Sequence, residues 1–228
     1  MDIRLVTCVY KRPEITRAFL HHLEWLREET ELELPISIAY SNDEDLKVIE
    51  ESEVENIHLV RLGNNPVGKK WNDLYKAVIA DTTESHFVGI GSDDFLNAEY
   101  LKSLTPHHHA GVDSFLIYSP MHRKVVRHDL SRSPFVLTGA GRMLSREAVE
   151  TIFLQRHDLY CVKLNGGLDN NSELVLKKHG FQPVLLSFEN AFVDVKSETN
   201  IHSFEEFEVN DEASYSLLSE IMPNVRFE

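Results

Sequence analysis

The stretch Phe87-Val88-Gly89-Ile90-Gly91-Ser92-Asp93-Asp94-Phe95 decides how the rest of the chain is read. His86 to Ile90 is a short apolar run, which reads as a buried strand. It stops abruptly in glycine, serine and two adjacent carboxylates. Carboxylates at the carboxyl end of a central strand lie where open α/β sheets bind ligands. Two side by side repel, so the pair makes sense with a cation or a sugar hydroxyl between them. Gly, Ser and Asp are also ordinary turn residues, and the stretch by itself leaves both readings open.

Upstream, strands and helices alternate. Ile3 to Val9 is apolar and β-branched, and Tyr10-Lys11-Arg12-Pro13 closes it. Pro13 suits the first turn of a helix, and Ile15, Phe19, Leu23 and Leu26 follow at helical spacing. Ile36 to Tyr40 reads as a second strand and Ile57 to Leu62 as a third. Ser41-Asn42-Asp43 ends the second and can cap a short acidic helix. A helix with Trp71, Leu74, Tyr75, Val78 and Ile79 on one face precedes the His86 strand. This alternation predicts an α/β fold: a mostly parallel central sheet flanked by helices, with right-handed crossovers and a Rossmann-like first half. Downstream the rhythm loosens. Asn97–Leu104 and Arg146–Phe153 read as helices, Ser114–Tyr118 and Pro183–Phe188 as strands, and a further helix opens at Gly166 to Glu173 and closes at His179-Gly180.

The chain has 228 residues, 42% hydrophobic and 26% charged, as in ordinary globular proteins. A formal net charge of −14 disfavours broad adhesion to DNA or an anionic membrane. Cys8 and Cys161 are far apart and form no CxxC pair, which argues for reduced, buried thiols and against structural zinc. Met1 to Leu5 carries no signal-peptide pattern, and no apolar run approaches spanning length. A soluble cytoplasmic protein without a membrane anchor is expected.

Several motifs compete for the chemistry. Gly63 to Lys69 fits GxxxxGK, a phosphate-cradling P-loop between strand and helix. Lys70 stands where that motif needs a hydroxyl, and Pro66 removes one N–H from the cradle. A plain loop, or Lys69 or Lys70 facing a diphosphate in another fold, are the other readings. Residues 121–132 are basic and read as a solvated hairpin or a hold for an anionic acceptor. His107-His108-His109 reads as surface rather than metal ligands. Asp169 and Glu173 lie in a first helical turn, where the helix dipole favours carboxylates in any case.

In order and spacing these pieces resemble glycosyltransferases of the A-type fold, most of all the inverting family 2 group. The likeness spans roughly residues 3 to 190. Val6 to Glu14 resembles the opening strand and turn that hold the nucleotide. Asn64 to Asn72 resembles a segment lining the nucleotide pocket, Gly91-Ser92-Asp93-Asp94 the DxD-type motif, and Gly167-Leu168-Asp169 with Glu173-Leu174 the stretch carrying the catalytic base. Ser92 replaces the first acid of a full DxD, and Leu168 the usual Glu before the base.

The resemblance implies a metal-dependent transferase with a nucleotide-diphosphate sugar as donor. Asp93 and Asp94 would hold Mn2+ or Mg2+, with His202 completing the shell. Thr7, Tyr10, Asn42 or Asp43, Asn72 and Ser92 would line the nucleotide pocket. Arg12, Lys69 or Lys70 would face the diphosphate, and Asp169 would be the base. One domain, 1–228, is expected, with a nucleotide-sugar half at 1–96 and an acceptor half and tail at 97–228. The acceptor would be a soluble glycan, a protein or a hydroxylated DNA base, nucleic acid entering only in that role. Two rivals remain: a P-loop phosphotransferase with Asp93 on Mg2+, and a non-catalytic nucleotide- or sugar-binding module.

Overall fold

The computed structural model describes residues 1–130, 133–196, 204, 207 and 211–225. Its first half follows the sequence pattern closely. Strands β1 (Ile3–Cys8), β2 (Ile36–Tyr40), β3 (Ile57–Arg61) and β4 (His86–Gly89) pair in parallel. Helices α1 (Pro13–Thr30), α2 (Asp43–Glu51) and α3 (Val67–Asp81) make the crossovers. Helix α1 buries the predicted Ile15, Phe19, Leu23 and Leu26, and α3 buries Leu74, Tyr75 and Val78 with Trp71 and Ile79 half-buried beside them. Pro13 presets the first turn of α1, and Asn42 caps α2 by accepting the Asp45 N–H at 2.8 Å.

The second half contributes β5 (Asp94–Leu96), α4 (Ala98–Ser103), β6 (His109–Gly111), β7 (Ser114–Ser119), β8 (Lys124–Asp129) and β9 (Arg142–Ser145). Helices α5 (Arg146–Leu154) and α6 (Leu168–Lys178), strands β10 (Val184–Leu185), β11 (Phe192–Val195) and β12 (Asp211–Glu212), and α7 (Ser216–Ile221) follow. The main sheet has seven strands in the order β10-β6-β9-β4-β1-β2-β3. Within it only β9 runs against the others. A five-stranded sheet, β12-β8-β7-β11-β5, branches off where β4 gives way to β5. Leu96 and Phe192 of this second sheet share one core cluster with Leu5, Phe19 and Leu20 of the first half.

Between Thr138–Gly141 and α5, β9 enters the main sheet beside β4. Gly89 pairs with Arg142, and the Gly141 N–H donates to the Gly89 carbonyl at 2.9 Å. The loop before β9 therefore lies at the carboxyl end of β4. The strand expected over 183–188 shrinks to the exposed β10. The basic segment is a hairpin arm, β8 against β7, although residues 131 and 132 lie outside the described residues. Among the described residues no helix is long and apolar enough to cross a membrane.

Candidate functional site

Three aspartates meet where the two sheets part. Asp93 and Asp94 follow β4, and Asp94 begins β5. On the neighbouring antiparallel strand, Asp194 of β11 stands directly opposite Asp94. Directly opposed residues share a face with their side chains close together, so the two carboxylates confront each other. Burial, and then the charges of Asp194 and Asp93, push the Asp94 carboxyl well above its ordinary range. Burial also pushes Asp194 up to about 6, against the pull of Lys196. Two cations serve this cluster. Lys196 Nζ donates to Asp194 Oδ2 at 2.6 Å. Arg12 forks onto Asp93, with Nη1 to Oδ2 at 2.8 Å and Nη2 to Oδ1 at 3.2 Å, and Nη2 also reaches Ser92 Oγ at 3.1 Å. Burial alone pulls the Arg12 guanidinium down, and Asp93 together with Asp94 and Asp194 more than reverses it.

Arg12 is aimed by a residue far from it in sequence. Lys11 sits in the left-handed region at φ 52°, a conformation that costs a side chain about 1–2 kcal/mol. Asp45, buried in α2, holds it there: Oδ1 accepts the Lys11 N–H at 2.7 Å and Oδ2 the Ser41 N–H at 3.4 Å. This turn leaves Tyr10 38% exposed at the end of β1, with Lys11 Nζ 5.2 Å from the centre of its ring. Asn42 Nδ2, nearby at the end of β2, is buried without a hydrogen-bond partner among the described residues.

The lysines take other parts. Lys70 does not face solvent or a diphosphate. Its ammonium is buried and spends its three protons on Val9 O at 2.6 Å, Ser41 Oγ at 2.6 Å and Asn64 Oδ1 at 3.2 Å. It braces the carboxyl ends of β1, β2 and β3, and burial lowers its pKa. Lys69 pairs with Asp73 one helical turn on, at the surface. Asn72 does not line a nucleotide pocket. It exchanges hydrogen bonds with the Tyr160 backbone inside the core. Asp43 is exposed and pairs with Arg61 at 2.9 Å. Thr7 is fully buried within β1, and its hydroxyl has no partner among the described residues.

The P-loop reading falls on the same geometry. The Val67 N–H donates to Asn165 Oδ1 at 2.9 Å and the Gly68 N–H to Leu164 O at 3.0 Å. The start of α3 is thus covered by residues 161–165. Gly68 is required because a Cβ there would lie 2.1 Å from Cys161 O. No backbone cradle is left for a phosphate.

Asp169 lies in the first turn of α6, behind Gly167 in the left-handed region at φ 64°. Its carboxylate rests on Gly139, where a Cβ would come within 2.0 Å of Asp169 Cγ. Gly139 belongs to the loop at the carboxyl end of β4, so Asp169 reaches the same end of the sheet as the aspartate cluster. Glu173 is unlike it. Fully buried, it accepts the Val136 N–H at 3.1 Å, the Leu137 N–H at 3.1 Å and Lys177 Nζ at 2.6 Å. Glu173 is a structural clamp.

The donor set fits a hard divalent cation of the Mn2+ or Mg2+ kind. Asp194 Oδ1 is buried with no hydrogen-bond partner among the described residues, and Asp94 faces it. Among the described residues no three His, Cys, Asp or Glu form a ready cage. Mg2+ seldom needs one, because it takes one or two carboxylates and lets substrate phosphates and water complete its shell. Asp194 therefore stands beside Asp94 where Asp93 was expected, since Arg12 holds both oxygens of Asp93. His202 lies outside the described residues.

Asp194, Lys196, Asp45 and Arg142 were not picked out from the sequence. One signal was present for the first two: Phe192-Val193-Asp194-Val195-Lys196 places two charges at alternate positions in an apolar strand. No sequence-family profile matches the chain, and no curated protein matches it in sequence. Solved structures do match in shape. A fragment of S. aureus TarS in complex with UDP-GlcNAc superposes with a TM-score of 0.58 at 17% identity, over 100% of this chain and 68% of that one. TarS 1–349 alone gives 0.56 at 15%, over 86% of this chain and 60% of that one. The chain has a GT-A-type fold. The inositol-1-phosphate CTP transferase of T. maritima shares it, with a TM-score of 0.56 at 12% identity over 98% of both chains. Likeness at these identities is likeness of fold, and this chain spans about 60% of the TarS fragment's length in the 0.56 match.

Proposed function

We propose that the protein is a glycosyltransferase that moves a sugar from a nucleotide-diphosphate sugar to an acceptor hydroxyl, with inversion. The observation that carries this reading is the meeting of Asp93, Asp94 and Asp194 with Arg12 and Lys196 at the carboxyl end of β4, with Asp169 brought to the same end on α6. Fold likeness to TarS bound to UDP-GlcNAc supports it.

In this reading the base of the donor stacks on Tyr10, and the diphosphate lies toward Arg12. Asp94 and Asp194 would hold the divalent cation, which supplies neutralisation of charge on the departing diphosphate. Asp169 takes the proton of the acceptor hydroxyl as its oxygen attacks the anomeric carbon. The new C–O bond forms on the face opposite the breaking one, and the nucleoside diphosphate leaves. General-base help of this kind is worth ~10²–10⁴ in rate. The exposed Arg123 and Lys124 of the β7–β8 hairpin are where an anionic acceptor would be met.

The same fold carries an inositol-1-phosphate CTP transferase, and nucleotidyl transfer to a phosphate group would use a phosphate oxygen as the attacking atom. Such an oxygen is already anionic, needs no base and would be repelled by Asp169. A thermal-shift panel of UDP, GDP, CDP, CTP and ATP with and without Mn2+, followed by mass spectrometry of products from UDP-, GDP- and CDP-sugars, tests the proposal. Release of a nucleoside diphosphate with hydrolysed or transferred sugar supports it. Pyrophosphate release from CTP contradicts it, and so does nucleotide binding with no turnover of any sugar nucleotide.

A further inference from the structure

Arg142 opens β9 directly opposite Gly89 of β4, and it is 3% exposed. Its guanidinium reaches in two directions. Toward its own loop, Nε donates to Thr138 O at 3.1 Å and Nη2 to Leu137 O at 3.0 Å. Toward α6, Nη1 donates to Ser172 Oγ at 2.7 Å and to the Asp169 carbonyl at 3.0 Å. Ser172 Oγ in turn donates to the same Asp169 carbonyl at 2.9 Å. Glu173 closes the knot, 3.9 Å from Nη2, while its oxygens accept the Val136 and Leu137 N–H groups.

Its backbone thus pairs with the strand that leads to the aspartates, and its side chain joins the loop carrying Gly139 to the turn carrying Asp169. A guanidinium holds its donors in a rigid plane, so it fixes angle as well as distance, which an ammonium does not. Arg142 is too buried to touch a substrate. We propose that Arg142 is a positioning residue for Asp169, setting where that carboxylate stands relative to the aspartate cluster. The proposal rests on the reading of Asp169 as the base.

A merely structural arginine would predict something different: general loss of stability, independent of Asp169. A double-mutant cycle separates the two. Arg142→Lys, Ser172→Ala, Asp169→Asn and the paired variants are made in the full chain. Melting temperature, UDP affinity with Mn2+ and nucleoside diphosphate release from the sugar nucleotide chosen by the product panel are measured on each. Arg142→Lys should lower kcat roughly tenfold or more with donor KM within about twofold, the pattern of a lost transition-state interaction. It should cost no further rate in the Asp169→Asn background. Ser172→Ala should act in the same direction, more weakly and with near-normal melting, which keeps the test open should Arg142→Lys fold poorly.

Full additivity with Asp169→Asn would overturn the assignment, as would a rise in KM in place of a fall in kcat. Unchanged kcat in both Arg142→Lys and Ser172→Ala would do the same. These outcomes leave the base reading standing if Asp169→Asn is itself impaired. An Asp169→Asn variant as fast as wild type would remove the base reading, and the role of Arg142 with it.

Discussion

Asp94 is buried opposite one carboxylate and adjacent to another, an arrangement that stability alone would not select. Asp94→Asn keeps an oxygen for the Gly91 N–H, which now donates to Oδ2 at 2.8 Å, and removes the repulsion. We expect an unchanged or higher melting temperature together with at least a roughly tenfold loss of cation-promoted UDP binding, or about 1.4 kcal/mol. Calorimetry and thermal melts on one preparation check this; a destabilised variant with normal cation dependence contradicts it. The two lysines make a second residue-scale contrast. Lys70→Met strands one buried and two half-buried acceptors and should cost about 1–3 kcal/mol, weakening uridine and UDP alike. Lys69→Ala removes only a surface pair, worth about 0–1 kcal/mol, and should leave UDP affinity unchanged. Denaturant melts and nucleotide titrations decide between them. The aspartate pair was legible because it ends an apolar run. The destinies of Lys69 and Lys70 were not, since adjacent positions on a helix point in different directions and the start of that helix was not fixed by periodicity.

At the scale of elements, the first four strands and three helices were legible because their periods are long and clean. The short strands of the second half were not. β9 has four residues, all buried, so it shows no alternation, and β5 has three. Their pairing is long-range, and it is this pairing that brings Asp194 to Asp94 and Asp169 to Gly139. The opposite end of β1 and β4 gives a prediction that does not involve the site. Arg4 of β1 forks onto Glu84 just before β4, at 2.9 and 2.7 Å. These hydrogen bonds hold the Glu84 carboxyl down at about 2, against an ordinary 4.5. A folded-state pKa below the unfolded one stabilises above the unfolded value and is lost as pH falls through the folded one. Wild type should therefore melt higher than Glu84→Gln at neutral pH, and the two should converge as pH falls from 4.5 toward about 2. A difference independent of pH would show that the carboxylate charge is not what Arg4 holds.

Across the whole molecule, the candidate site occupies the seam between the seven-stranded sheet and a smaller sheet that supplies the third aspartate. The α/β class follows from the alternation of elements, but the seam depends on contacts between residues a hundred positions apart, which no local pattern records. With the donor at the ends of β1 to β4 and the acceptor on the side of Asp169, as proposed, the two functions separate in one variant. The decisive measurement is donor affinity and transfer rate on the same preparation of Asp169→Asn. Donor affinity should stay within about twofold of wild type while transfer falls by ~10² or more, the scale of a lost general base. Near-normal transfer, or donor affinity lost together with transfer, would contradict the proposal.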